Sequence, residues 1–296
     1  MRDTGHVPHT PGADASARPR GRTAAGNGRD PGGPDDAHRT FRSRVKGLVE
    51  RSMGVTISRT PPAPPNQHAD AALGHLRRWS PDDVFFDVGA NDGRTILRLQ
   101  HQLSSPRIYA FEPVASTYRT LVERTAQLPN VRTFNLALGA GPGTGTIYLN
   151  DIDAMNSFSP RWTTAPIGTE TVTVATIDDM LAAERIGFVH FLKIDTEGFE
   201  LEVLKGAEQA LRASRIGIVQ VEVGVDQMDK SFLSLERART HMAARGYLLY
   251  GIYNQCRTPA AAPAGWPQGA ADGYTPEALA YCDALFVRAD PAGARP

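Results

Sequence analysis

Lysine is almost missing from this sequence: Lys46, Lys193, Lys205 and Lys230 are the four, so 28 of the 32 basic residues are arginine. That skew matches codon usage in a GC-rich genome and carries no chemistry. A surplus of one charge is missing too. The 32 basic residues meet 32 acidic ones, for a formal charge of zero, so no global field draws the chain to nucleic acid or to an anionic membrane. Cysteine stops at Cys256 and Cys282, too few for a disulfide framework and too far apart for a metal-binding doublet. One bridge between them stays open, and a reducing cytoplasm is the expected setting. Nothing approaches the roughly 18–20 apolar residues of a membrane span, and the opening MRDTGHVPHT has no apolar signal core. The expectation is a soluble cytoplasmic protein with no membrane span and no nucleic-acid partner.

What remains is ordinary globular composition, 41% hydrophobic and 22% charged over 296 residues, enough for one large α/β domain or two small ones. Residues 1–66 depart from it. They hold nine prolines, nine glycines and, before Phe41, almost no large apolar side chain, which predicts a disordered tail over 1–36. Eleven basic against six acidic residues give this stretch +5 and leave 21 against 26, or −5, for the rest. The basic stretch 1–66 is therefore solvated, or docks by charge on the acidic body or on a phosphorylated partner. Phe41, Val45, Leu48, Val49 and Met53 recur at helical spacing, so residues 37–66 read as an amphipathic helix and a linker broken by Pro61, Pro62, Pro64 and Pro65. The helix packs on the domain or on a second subunit, the latter making a homo-oligomer. Residues 67–296 form the main domain.

From about residue 70, short β-branched and apolar runs alternate with helical stretches, the pattern of a parallel sheet with helices on its faces. Strands are predicted at Val84–Val88, Ile108–Phe111, Val131–Ala137, Val189–Asp195, Ile216–Val223, Tyr247–Tyr253 and Ala284–Val287. Four of them lead into polar loops: VFFDVGANDG, IYAFEP, FLKIDTEG and VQVEVG. Ligands of open α/β sheets collect beyond the carboxyl ends of the strands, so these loops describe one site. Two further β-like pieces, Thr146–Leu149 and Thr171–Ala175, belong to an insertion at about 140–176, placed where a cap over an acceptor would sit.

In Asp87-Val88-Gly89-Ala90-Asn91-Asp92-Gly93 an apolar strand passes through a glycine-bearing turn into the helical TILRLQ. Gly89 and Gly93 allow a tight turn and close approach of a ligand, and the helix start offers free N–H groups. The loop lacks the middle glycine of the dinucleotide fingerprint and the G-K-[ST] of a phosphate loop. Asp87 would also repel pyrophosphate. A cationic, hydroxylated ligand suits the loop better, and S-adenosylmethionine, a nucleoside bearing an amino acid and a positive sulfonium, has both properties. Twenty-five residues after Asp87, Glu112 follows the next strand, where an acid can accept hydrogen bonds from both ribose hydroxyls. Separately these signals also read as an ordinary βα turn and a solvated strand end. Their spacing joins them.

With those segments in place the sequence resembles the FkbM family of S-adenosylmethionine-dependent methyltransferases, from about Phe41 to Arg288. The resemblance is carried by FDVGANDG, YAFEP, NLALG, TIDDM, LKIDTEGFELEVLKGA, VQVEVG and DALFVR, with Leu192–Ala207 the most diagnostic run. It implies the class I methyltransferase fold: a Rossmann-like three-layer α/β sandwich whose seven-stranded, mostly parallel sheet has an antiparallel last strand. It also implies O-methylation of a hydroxyl on a sugar or polyketide-type natural product. S-adenosylmethionine is the implied cofactor, with Asp87, Gly89, Ala90, Asn91 and Gly93 along its methionine part, Glu112 on the ribose, and Asn135 and Ala137 bordering the adenine. Residues 1–40 and Arg257–Gly273 lie beyond the resemblance.

An alcohol is poorly acidic near neutral pH, so methylating its oxygen needs a general base or a metal. The candidates are Asp195, Glu197 and Glu200 in KIDTEGFE and Glu222 in VQVEVG. The implied strand order sets Asp195 and Glu222 on adjacent strand ends. Asp195 is the first choice for the base, with Glu222 and Glu197 beside it; Asp195 also reads as a carboxylate tying the turn before the next helix, and Glu222 has a similar structural alternative. Glu200 reads as structural. Two strand-end acids, with Asp226 a looser third, also suit a hard divalent ion, so a metal stays open. His190 lies five residues before the strand edge and reads as a satisfied interior histidine.

Acceptor recognition is expected from Met155, Asn156 and Ser157 in the insertion and from the late loop with Trp266 and Tyr274, Trp266 serving equally well as a hydrophobic plug. The expected partner is a small-molecule or glycosylated acceptor. Two other classes compete. One is a cofactor-binding regulatory module without catalysis, which loss of Asp195 or Glu222 would have favoured. The other is a nucleotide-sugar oxidoreductase, opposed by the missing dinucleotide fingerprint.

Overall fold

The computed structural model describes residues 69–151, 155–159, 166–225, 232–259 and 277–289. The predicted tail over 1–36, the helix and linker of 37–66, and Asp226, Trp266 and Tyr274 lie outside the described residues. The chain runs α1 (Ala69–Leu76), β1 (Val84–Val88), α2 (Arg94–Gln102), β2 (Arg107–Phe111), α3 (Ala115–Thr125), β3 (Val131–Phe134), β4 (Ala137–Leu138), β5 (Gly143–Leu149), β6 (Gly168–Ala175), α4 (Ile177–Ala183), β7 (Val189–Ile194), α5 (Glu200–Lys205), α6 (Glu208–Arg212), β8 (Ile216–Gly224), α7 (Leu235–Ala243), β9 (Tyr247–Pro259) and β10 (Glu277–Arg288).

Strands buried on both faces read as near-continuous apolar runs, and β1, VFFDV, is buried at all five positions. One face of the sheet puts Phe86, Leu192, Val219 and Phe286 under α4 to α7. The other puts Phe85, Phe191, Ile218 and Leu285 under α1 to α3. The resulting three layers hold a seven-stranded sheet in the order β3-β2-β1-β7-β8-β10-β9. Its pairings are parallel except for β10, which runs antiparallel to both β8 and β9. This is the class I methyltransferase fold, with its antiparallel last strand. Chain order reverses between β1 and β7, and there the crevice for a ligand opens.

The predicted strand over Val131–Ala137 is two. It leaves the large sheet after Phe134, and Ala137–Leu138 pairs with β6 in a second sheet ordered β4-β6-β5. The break falls at Asn135, whose amide donates to the carbonyls of Glu112 at 3.0 Å and Pro113 at 2.8 Å and turns the chain off the sheet edge. The two β-like pieces of the insertion are the cores of β5 and β6. At the other edge β9 and β10 outrun their predicted lengths, pairing with each other as far as Pro259 opposite Glu277. Backbone hydrogen bonding persists there where the sequence has lost apolar alternation.

Candidate active site

At the end of β1, Asp87 is 1% exposed, and its carboxylate lacks an aligned hydrogen bond. It faces the Lys193 ammonium of β7 at 3.5 Å. Burial pushes the Asp87 carboxyl above its ordinary range while Lys193 pulls it down. Gly89 follows at φ +77°, and a Cβ there would lie 1.8 Å from the Asp195 carbonyl oxygen. The glycine is thus demanded first by the approach of the β1 and β7 ends. Asn91, at φ +48°, donates its backbone N–H to Glu112 Oε2 at 3.0 Å, and Val114 donates to Oε1 at 2.9 Å. Glu112, 7% exposed, is therefore a clamp on two loops rather than a solvated strand end. A carboxylate has about four lone-pair directions, so it can hold both loops and still accept from a ligand.

One cavity runs from Gly89 and Asn91 past Glu112 to Ala137, walled by Phe111, Leu136, Ile147 and Phe199. Asn156 and Ser157 of the insertion line this same cavity. Ser157 Oγ donates to the Glu197 carbonyl at 2.6 Å, and Phe158 stacks on Phe199 with centroids 4.3 Å apart. Ala90 lines a second recess behind the glycine turn, with Thr95, Lys193 and Asp195. Gly93 and Asn135 stand outside the cavity lining. Gly93, at φ +83°, starts α2, and a Cβ there would lie 3.0 Å from Leu121 Cδ1, tight enough to make that side chain give way. A cleft with a carboxylate at mid-length, apolar walls and a buried acid behind its turn suits an adenosine carrying a cationic amino-acid chain.

At the carboxyl ends of β7 and β8, Asp195, Glu197 and Glu222 each offer an oxygen within 4.8 Å of the others. Asp195 Oδ2 accepts from Lys193 Nζ at 2.9 Å. Burial works against the Lys193 charge, but Asp195 and Asp87 outweigh it and hold the ammonium's pKa above its usual value. Burial, reinforced by Asp195 and Glu200, pushes Glu197 up to about 8. Burial, reinforced by Asp195 and Glu197, pushes Glu222 up to about 10, and its buried Oε2 has no hydrogen-bond partner. Such a trio can share protons or take a hard divalent cation. Glu200, fully buried, accepts from the Thr196 N–H at 3.1 Å, the Thr196 hydroxyl at 3.1 Å and the Gly198 N–H at 2.9 Å. It is Glu200, as its structural reading had it, and not Asp195 that ties the turn.

His190 sits at the opposite end of β7. Its Nδ1 accepts from the Val84 N–H at 3.0 Å and its Nε2 faces Asp83 at 3.1 Å, a satisfied interior position. Cys256 and Cys282 are free thiols. Sequence reasoning passed over Gln220, Asn254 and Asp283. Asp283 Oδ2 accepts from Gln220 Nε2 at 2.9 Å and from Asn254 Nδ2 at 2.6 Å. A signal existed: Lys193 and Gln220 interrupt apolar strands two residues before Asp195 and Glu222, and so share their face.

The sheet order and the cleft at its reversal define a class I methyltransferase domain built for S-adenosylmethionine. Within that class the chain belongs to the FkbM family: residues 87–249 match the model of the methyltransferase FkbM domain. The hexuronic acid methyltransferase AglP of Haloferax volcanii is 29% identical over 161 residues, 54% of this chain and 65% of that protein. Methyltransferase 1 of Beauveria bassiana is 31% identical over 150 residues, 43% of this chain and 60% of that protein. The matched stretches thus span less than two thirds of either relative. Among solved structures, precorrin-6y C5,15-methyltransferase of Geobacter metallireducens is 13% identical with a TM-score of 0.38, covering 74% of this chain and 87% of that one. Fibrillarin of Aeropyrum pernix, solved with S-adenosyl-L-methionine, is 12% identical with a TM-score of 0.39, covering 74% and 73%.

Proposed function

We infer that the protein transfers a methyl group from S-adenosylmethionine to a hydroxyl oxygen of a sugar-type acceptor. The observation that carries this reading is the placement of Asp195 and Glu197, which line the nucleoside cavity and crowd with Glu222 at the ends of β7 and β8. The AglP relative, named for a hexuronic acid, supports the sugar class. The cofactor, when bound, supplies an electrophilic methyl carbon. The chain's part begins with Glu112, which orients the ribose, and with Asp87 and Asp195, whose field favours a cation. Lys193 donates to Asp195 Oδ2 and spends part of its accepting power. Glu197 and Glu222, raised above the ordinary carboxylate range first by burial and then by the neighbouring acids, titrate as a pair, and the member that has released its proton, Glu197 first as pH nears about 8, accepts the acceptor's hydroxyl proton.

Labelled S-adenosylmethionine offered with a panel of hexoses and hexuronic acids tests this. Transfer to a sugar is expected, and Glu197→Gln and Glu222→Gln should each lower kcat by about 10²–10⁴-fold. Calorimetric binding of S-adenosylhomocysteine should change little in either variant. A chelator that reproduces the loss, reversed by Mg²⁺ or Mn²⁺, reassigns the trio to a metal. Wild-type turnover in both variants and in Asp195→Asn removes the strand edge from the chemistry.

A further inference from the structure

The face of the sheet under α1 and α2 changes character on approaching its carboxyl edge. Along β7 the face goes from Phe191 to Lys193 to Asp195, along β8 from Ile218 to Gln220 to Glu222, and along β10 from Leu285 back to Asp283. Lys193, Gln220 and Asp283 are all more than nine-tenths buried, where a core would place leucine or valine. Above them lies a pocket closed over by Thr95 and Arg98 of α2, with Asn254 of β9 at its side. Asp195 lines this pocket and the nucleoside cavity alike, so an occupant here adjoins the bound cofactor.

The geometry points to this pocket as the ring subsite of the acceptor, built for a neutral, hydroxyl-rich ring. This rests on the methyltransferase reading above. Hydroxyls need donors and acceptors at close quarters, and the walls supply both as amides, carboxylates, an ammonium and the Thr95 hydroxyl. Gln220 and Asn254 spend an amide nitrogen on Asp283, which leaves their oxygens to accept from hydroxyls. Charge excludes an anionic ring. Lys193 pairs with Asp195 at 2.9 Å and faces Asp87 at 3.5 Å, and Arg98 and Asp283 line the same pocket, so its two cations stand among at least two acids even if Asp87 is protonated. The polar lining equally excludes a bare apolar scaffold, because each buried polar group would lose its water without a replacement.

The probes are methyl β-glucopyranoside and methyl β-glucopyranosiduronate, titrated by calorimetry into the full-length protein loaded with S-adenosylhomocysteine. The glucoside should bind at least about tenfold more tightly than the glucuronide. Gln220→Leu, and Asn254→Gly, which tolerates the φ of +46° at that position, should each weaken glucoside binding about three- to tenfold, the worth of one hydrogen bond. Their S-adenosylhomocysteine affinity should hold, which also shows that they fold. Equal or better binding of the glucuronide, no binding of either sugar, or unchanged sugar affinity in both variants overturns the assignment. Weakened S-adenosylhomocysteine binding in the variants overturns it by giving the pocket to the cofactor. Failure of the wild type to bind S-adenosylhomocysteine is a different result, and removes the methyltransferase reading itself.

Discussion

Glu197 and Glu222 are carboxyl groups held where their charge is poorly solvated and repelled by its neighbours, and that has a cost in stability. Each has an ordinary pKa of 4.5, raised in the fold to about 8 for Glu197 and about 10 for Glu222. Below pH 4.5 both states carry the protons and nothing is lost. As pH rises, the unfolded chain releases them first, so native stability drains through about 8 for one and about 10 for the other. Glu222→Gln keeps the shape without the charge. It should raise the melting temperature at pH 8–9, with the gain shrinking to nothing near pH 4, while turnover falls. Thermal melts of both proteins across that range check it, and a gain independent of pH would place the effect in packing instead. The same residues show what a sequence can and cannot tell. Asp195, Glu197 and Glu222 stood out because acids after apolar strands are conspicuous. Gln220 and Asp283 did not, because their meaning lies in a pairing across 63 positions of chain.

At the scale of elements, several of the family-like segments turn out to be joints between elements. In TIDDM, Thr176 caps α4 by accepting from the Asp179 N–H, while Asp178 accepts from the Gln209 and Ala210 N–H groups and ties α4 to α6. Gly139 of NLALG and Gly206 of the LKGA segment meet: a Cβ on Gly206 would lie 2.0 Å from the Gly139 carbonyl oxygen. Gly206 has an ordinary φ of −72°, so Gly→Ala there would by itself gain about 0.4–1 kcal/mol from the unfolded chain. The backbone overlap outweighs that gain, and Gly206→Ala should lose about 1–3 kcal/mol net, readable from urea unfolding. A neutral or stabilised variant would mean that the two turns separate easily. β1, β7 and β8 were legible because burial on both faces writes itself as near-continuous apolar runs. The end of β3 was not, because an exposed asparagine reaching carbonyls 22 and 23 residues away leaves no local mark. The left-handed turns at Asn91 and Glu197 were hidden likewise, since neither position is a glycine.

For the whole molecule, the division of charge and composition along the chain sets the last expectation. Residues 1–36 carry no periodic apolar positions and none of the segments that build the cleft, whereas five apolar residues from Phe41 to Met53 recur at helical spacing in the sequence. A chain lacking 1–36 should therefore melt within about 1 °C of the full protein, because nothing apolar is re-exposed. A chain lacking everything through Met53 is expected to melt lower, the outcome that burial of those apolar positions on the domain or on a second copy would produce. S-adenosylhomocysteine separates effects on folding from effects on the site. A ligand that binds only the native state at about 100 times its Kd adds about 2.7 kcal/mol, which for a domain of this size is roughly 5–10 °C. That shift should be the same in the full protein and in the chain lacking 1–36. It should survive the longer deletion as well, on a lower baseline, if the helix serves only to cover apolar surface. Loss of the shift on removing 1–36 would show that this segment reaches the cleft, and a lowered melting point without ligand would show that it packs against the rest of the chain.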